Sequence, residues 1–164
     1  MLTYLFFRHL KPGGYIEFQD LCLPTRCDDT VAAATSKALA YNTSLMTVSE
    51  QLGFNVQAPL FWRKYLQAAG FIDIHSKWFN WPVGPWAKKS KNKELGKLVF
   101  KNFYAALDTT GPILEKFLGY TGEEAQAMIA EVRKEFRDQK VNLYQQCCFC
   151  YARKPEEPEL EDQQ

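Results

Sequence analysis

Apolar and polar positions alternate along this chain in two different periods, and the changes of period mark out its elements. Leu2, Leu5, Phe6 and Leu10 recur at helical spacing and share one face, so the chain opens with an amphipathic helix that needs a sheet to lie on. Pro12 cannot continue that helix, and Gly13-Gly14 allow a sharp reversal. Tyr15, Ile16 and Phe18 then read as a strand that closes on Asp20. Residues 21 to 28, with Pro24 and the acid Asp28, read as a loop.

From Thr30 to Leu52 the period is helical again, with Ala34, Ala38, Tyr41 and Leu45 on one stripe and Gly53 as the stop. Pro59 to Gly70 predicts a second helix, and Phe71 to Trp78 alternates as a half-buried strand does. Trp78, Phe79, Trp81 and Trp86 cluster with Pro82, Gly84 and Pro85, which predicts a rigid aromatic loop. Five lysines between Lys88 and Lys97 form a small basic patch ahead of a helix through Leu107, which Thr109-Thr110-Gly111-Pro112 is expected to break. A short helix then ends at Gly119. Thr121-Gly122-Glu123-Glu124 is a capping box that starts a helix with Ala125, Met128, Val132 and Phe136 as its apolar stripe. Val141 to Ala152 reads as the last strand, and the acidic run Pro155 to Gln164 is expected to be disordered.

Helix, turn, then a strand closing on acid and amide side chains indicates an α/β chain. It sets polar groups at the carboxyl end of a strand, where open α/β sheets bind ligands. Glu17, Gln19 and Asp20 are therefore candidate substrate-binding residues; Glu17 and Gln19 share a face, and Asp20 points either away from it or into the following loop. Tyr41 and Asn42 either face substrate or pack their helix on the sheet. Trp78, Trp81 and Trp86 either wall an apolar pocket or plug a core edge.

Composition narrows the classes. At 164 residues the chain is long enough for one domain with a sizeable core. A net charge of +1 without a basic stripe argues against nucleic-acid binding. No apolar run approaches the roughly 18 residues of a membrane span. The five cysteines, an odd count without a secretory signal, predict reduced thiols in cytoplasm or nucleus. Cys147 and Cys148 fall on opposite faces of a strand, and no partners complete a tetrahedral set with Cys148 and Cys150, so no metal site is expected. His9 and His75 read as structural or surface residues.

The run Arg8-His9-Leu10-Lys11-Pro12-Gly13-Gly14-Tyr15-Ile16-Glu17-Phe18-Gln19-Asp20 resembles the turn into the fifth strand of class I S-adenosylmethionine-dependent methyltransferases, above all the fungal LaeA-like group. Asn80-Trp81-Pro82-Val83-Gly84-Pro85-Trp86 and the closing Ala152-Arg153-Lys154-Pro155 agree with it. The resemblance implies the C-terminal part of a Rossmann-like fold, with about three strands, one of them antiparallel, and several helices over residues 1 to 154. It implies that the N-terminal, cofactor-binding half is absent and that the chain begins in mid-domain.

The cofactor implied is S-adenosyl-L-methionine, but the residues show no G-x-G-x-x-G loop between a strand and a helix, so no cofactor-binding residue is assigned in this chain. The expected partner is a small-molecule acceptor, or a protein at an open sheet edge; neither nucleic acid nor membrane is expected. Three functions compete. One is the acceptor-side portion of a methyltransferase in fungal secondary metabolism or its regulation. The second is a non-catalytic relative that pairs through its sheet edge, and the third is a pocket for natural-product cyclisation. An uncovered edge also predicts an isolated chain that is poorly soluble, self-associates or needs another chain.

Overall fold

A computed structural model describes residues 2–156. The elements run α1 (Leu2–His9), β1 (Tyr15–Cys27), α2 (Thr30–Thr35), α3 (Lys37–Gln51), a 3₁₀ turn (Ala58–Leu60), α4 (Trp62–Ala68), β2 (Ile72–Pro82), α5 (Ser90–Leu118), α6 (Gly122–Asp138) and β3 (Leu143–Arg153). The acidic run expected to be disordered lies, from residue 157 on, outside the described residues. The sheet order is β1–β3–β2. Lys154 donates to Gly14 while Gln145 reaches Cys22, so β3 runs against β1. Contacts at Asp73–Arg153, Ser76–Cys150, Asn80–Gln146 and Val83–Leu143 step in opposite directions at equal intervals, so β3 also runs against β2 in one constant register. β1 and β2 therefore point the same way and β3 is the single antiparallel strand, as the resemblance leads one to expect. Its central position explains its near-continuous burial.

Three boundaries differ from the sequence reading, and proline is involved each time. β1 continues through residues 21 to 27 where a loop was expected. As an edge strand it has an outer side on which Pro24 needs to donate to no ladder. β2 likewise takes in Phe79 to Pro82, so the aromatic loop shrinks to the residues after Pro82, which is the strand's last position. α5 passes straight through Pro112 and spans 29 residues. Gly111 has no Cβ to clash with the proline ring, and the Thr109 and Thr110 hydroxyls donate to the carbonyls of Ala106 and Leu107 in the disturbed turn. Thr110, Gly111 and Leu114 are buried, so packing holds the helix where local propensity would end it.

The single helix expected over Thr30 to Leu52 is instead two. Ser36 sits in an extended conformation between α2 and α3 and caps α3. The Glu135 carboxylate holds this break: it accepts 2.6 Å bonds from the Ser36 hydroxyl and the Lys37 amide.

The chain divides into two compact units. Among the described residues, one draws on 2–20, Ala58–Trp78 and 148–156, the other on Leu21–Gln57 and Phe79–Cys147. The core of the first gathers Trp62, Leu66, Phe71, Cys148, Cys150 and Ala152, with Phe7 and Phe18 packed against it. The Phe7 ring meets Phe71 edge-on at 5.0 Å, the favoured aromatic geometry. In the second, α3, α5 and α6 pack mutually around Tyr41, Leu107, Leu114, Val132 and Phe136. The capping box of α6 forms as the sequence indicates. The Thr121 hydroxyl accepts from the Glu124 amide, and the Glu124 carboxylate accepts from the Thr121 amide, which holds that carboxyl below its usual pKa. Thr121→Ala is expected to cost about 1 kcal/mol in urea denaturation, with an unchanged slope. A loss below a few tenths would mean that water replaces the cap.

Candidate functional site

Alternation along β1 turns Phe18 and Asp20 to one face and Glu17 and Gln19 to the other. The second pair is exposed, and the Gln19 amide donates to the Glu17 carboxylate at 2.7 Å, so the two satisfy each other on the surface. Phe18 and Asp20 instead line a cleft of about 380 Å³ within the first unit. Its other walls are Leu2 and Thr3, from the first turn of α1, and Trp62 and Tyr65, one turn apart on α4; Ala58 closes it.

α4 buries Leu66 completely, and this anchor turns Trp62, one turn earlier, inward too. The Phe18 ring lies 5.3 Å from the Trp62 ring at an interplanar angle of 39°. Phe6 of α1 meets Phe18 at 6.1 Å, which sets α1 against the strand. The cleft thus has aromatic walls, a hydroxyl at Thr3 and a carboxylate at Asp20, and its volume falls in the range of small-molecule sites.

The remaining candidates lie elsewhere. Tyr41 and Asn42 are buried in the core of the second unit. Burial pushes the Tyr41 phenol pKa up, against a smaller opposing effect from its hydrogen bond with Thr110. Asn42 belongs to a buried polar group with Thr25 and Gln145. Its side-chain oxygen accepts from the Thr25 amide at 3.4 Å and lies 3.0 Å from the Thr25 hydroxyl, and its amide donates to the Ala38 carbonyl. Trp78 is half-exposed on β2, Trp81 packs against the core of the second unit, and the Trp86 indole N–H donates to the Leu143 carbonyl at 2.9 Å. Trp62 was not singled out from sequence, because its inward direction depends on how α4 docks.

A hollow of about 620 Å³ lies between α5 and α6, lined by Asp108, Glu115, Arg133 and Arg137 among others; Arg133 pairs with Asp108 while its buried Nε has no hydrogen-bond partner, and Arg137 donates to the Tyr104 hydroxyl. Among the described residues no group of three or more His, Cys, Asp or Glu side chains is placed to hold a metal, and no helix is long and apolar enough to cross a membrane.

A nucleoside donor needs a turn that leaves a strand, opens its backbone amides to the ligand and enters a helix. Among the described glycines with positive φ, Gly84 alone stands between a strand and a following helix. Its amide is engaged, donating to the Gly96 carbonyl at 3.1 Å, and its own carbonyl lies tight against Gly96. The helix therefore fills the space a donor would take, and the residues present do not fit the methyl donor that the sequence resemblance implies.

No protein-family profile matches the chain. It is similar to fungal methyltransferases and to fungal secondary metabolism regulators over nine-tenths of its length. A probable methyltransferase, tdiE of Emericella nidulans, is 28% identical over 156 residues, which is 93% of this chain and 48% of that protein. The methyltransferase pytC of Aspergillus terreus is 28% identical over 150 residues, 91% of this chain and 46% of that one. The secondary metabolism regulator LAE1 of Cochliobolus heterostrophus is 25% identical over 154 residues, 92% of this chain and 50% of its own. The chain spans about half the length of the curated relatives it matches.

Proposed function

We propose that this chain is the acceptor-binding portion of an S-adenosylmethionine-dependent methyltransferase that acts in fungal secondary metabolism. The observation that carries the reading is the similarity of 93% of the chain to a probable fungal methyltransferase twice its length. The cleft formed by α1, β1 and α4 is the acceptor site in this reading, and Asp20 and Thr3 orient the acceptor there. The donor is held by polypeptide additional to these 164 residues, since Gly84 and Gly96 fill the one strand-to-helix turn of suitable form among the described residues.

Two measurements test this. Removing the gene from its source organism is expected to leave one or more metabolites lighter by a methylene; an unchanged metabolite profile would remove the methyltransferase role. Titration of the 164-residue chain with S-adenosylmethionine is expected to show no saturable heat, and micromolar binding would overturn the placement of the donor site.

A second reading has its own observation. β1 is an edge of the sheet, and beside it α1 has no fully buried residue and exposes Leu2, Tyr4 and Leu5. Such a surface suits a protein partner that adds a strand to β1 and covers α1. In that case the chain works as a subunit and co-purifies with a second polypeptide.

A further inference from the structure

The hollow between α5 and α6 is balanced in charge as a whole but polarised along its length. At one end the guanidinium groups of Arg133 and Arg137 gather at the Tyr104 ring, each 5.5 Å from its centroid. Asp108 pairs with Arg133, while Arg137 donates to the neutral Tyr104 hydroxyl, so one carboxylate stands against two cations. At the other end stands Glu115, about two turns beyond Asp108 on the same face of α5. Its carboxylate reaches the first turn of α6: one oxygen lies 3.8 Å from where a Cβ on Gly122 would sit. Among the described residues no cation pairs with Glu115 and no carboxylate pairs with Arg137. The contacts Tyr104–Arg137, Asp108–Arg133 and Glu115–Gly122 step in opposite directions along the two helices, so the helices are antiparallel and the two charged ends lie about 10 Å apart at the helical rise. Between them the lining is apolar, and the small Gly111 and Ala130 leave it open.

We infer that this hollow binds a linear zwitterion: an unbranched apolar chain with a carboxylate at the Arg137 end and a protonated amine at the Glu115 end, about 10 Å apart. The volume of about 620 Å³ suits a small molecule. A ligand with both charges gains an ion pair at each end. A simple acid of the same length sets its apolar end against Glu115, and a simple amine sets its own against the arginines. The inference goes beyond the methyltransferase reading and does not depend on it.

Three probes with one chain length and different ends separate these cases: 8-aminooctanoate, octanoate and octylamine, titrated by calorimetry into the 164-residue chain. The amino acid is expected to bind about tenfold more tightly than either of the others, as one further, partly screened ion pair allows. A shorter relative, 4-aminobutanoate, cannot reach both ends and is expected to lack that gain. Glu115→Gln and Arg137→Gln, both at exposed helix positions, are expected to bring 8-aminooctanoate down to the level of octanoate and of octylamine respectively. Ala130→Leu, also exposed, fills the middle and is expected to weaken all three. Equal binding of the three chains, absence of binding by 8-aminooctanoate, or a Glu115→Gln protein that keeps its preference for the amino acid would each overturn the inference. So would 4-aminobutanoate binding as tightly as the longer chain. Those results leave the methyltransferase reading standing on its metabolite test.

Discussion

Replacing Gly96 by alanine is expected to destabilise the protein by about 2 to 3 kcal/mol, although alanine is the better helix former by about 1 kcal/mol. A Cβ on Gly96 would lie 2.1 Å from the Gly84 carbonyl oxygen and 2.8 Å from its carbon. Both are backbone atoms, so no side chain can rotate away. Relief requires the turn after β2 to withdraw from α5, which breaks the 3.1 Å bond from the Gly84 amide to the Gly96 carbonyl. The withdrawal also disturbs Val83, which is buried and donates to Leu143 at 2.8 Å. Lys97→Ala, one residue on, is the control: Lys97 is exposed and pairs with Glu94 on its own helix, so its loss is expected to stay within about 0.5 kcal/mol. Urea denaturation of the two variants beside the parent reads the difference. A Gly96→Ala protein as stable as the parent would mean that α5 and the turn are not in backbone contact.

The second large effect is expected at Gln145. This side chain is completely buried; its amide donates to the Cys22 carbonyl at 2.7 Å and to the Gln146 carbonyl at 3.1 Å, and its oxygen lies 2.9 Å from the Thr25 hydroxyl. Gln145→Leu keeps the volume but removes the donors from two carbonyls, one of them on the neighbouring strand. The expected cost is about 2 to 4 kcal/mol, the sum of lost bonds and acceptors left in a dry interior. Thr25→Val is expected to cost less, about 1 to 2 kcal/mol. The Thr25 hydroxyl has one proton and faces two acceptors, Gln145 at 2.9 Å and Asn42 at 3.0 Å, so only one of them loses a partner. Equal losses for the two variants would contradict this ordering.

The order of helices and strands was legible in the sequence because their periods differ and their ends carry chemical marks. Gly119 adopts the left-handed conformation that ends α5, and Thr121 and Glu124 form the cap of α6. Proline was the misleading mark. Its power to stop an element depends on whether its missing N–H had a partner to lose, and that is decided by neighbours distant in sequence. Pro24 and Pro82 lie on edge strands, and Pro112 has threonine hydroxyls and a buried face to support its turn.

The site shows the same division between local and distant causes. That Asp20 and Phe18 share a face opposite Glu17 and Gln19 follows from the strand alone. That Trp62 and Tyr65 complete a cleft with them depends on how α4 docks on the strand, for which the sequence has no local sign. Asn42 carries the chemistry of a ligand-binding residue, but its partners Thr25 and Gln145 are distant in sequence, and only the folded chain shows that they occupy it.

All five cysteines are thiols, and four of them, Cys22, Cys147, Cys148 and Cys150, are almost wholly inaccessible, while Cys27 is partly exposed. Three of the four sit on the central strand, the part of a sheet that parts last. A thiol reagent added to the native protein therefore meets one quick target and four slow ones, and the slow reactions proceed only as fast as the strands separate. Counting modified sulfurs against time measures how often this sheet opens, with no label to introduce and no residue to change.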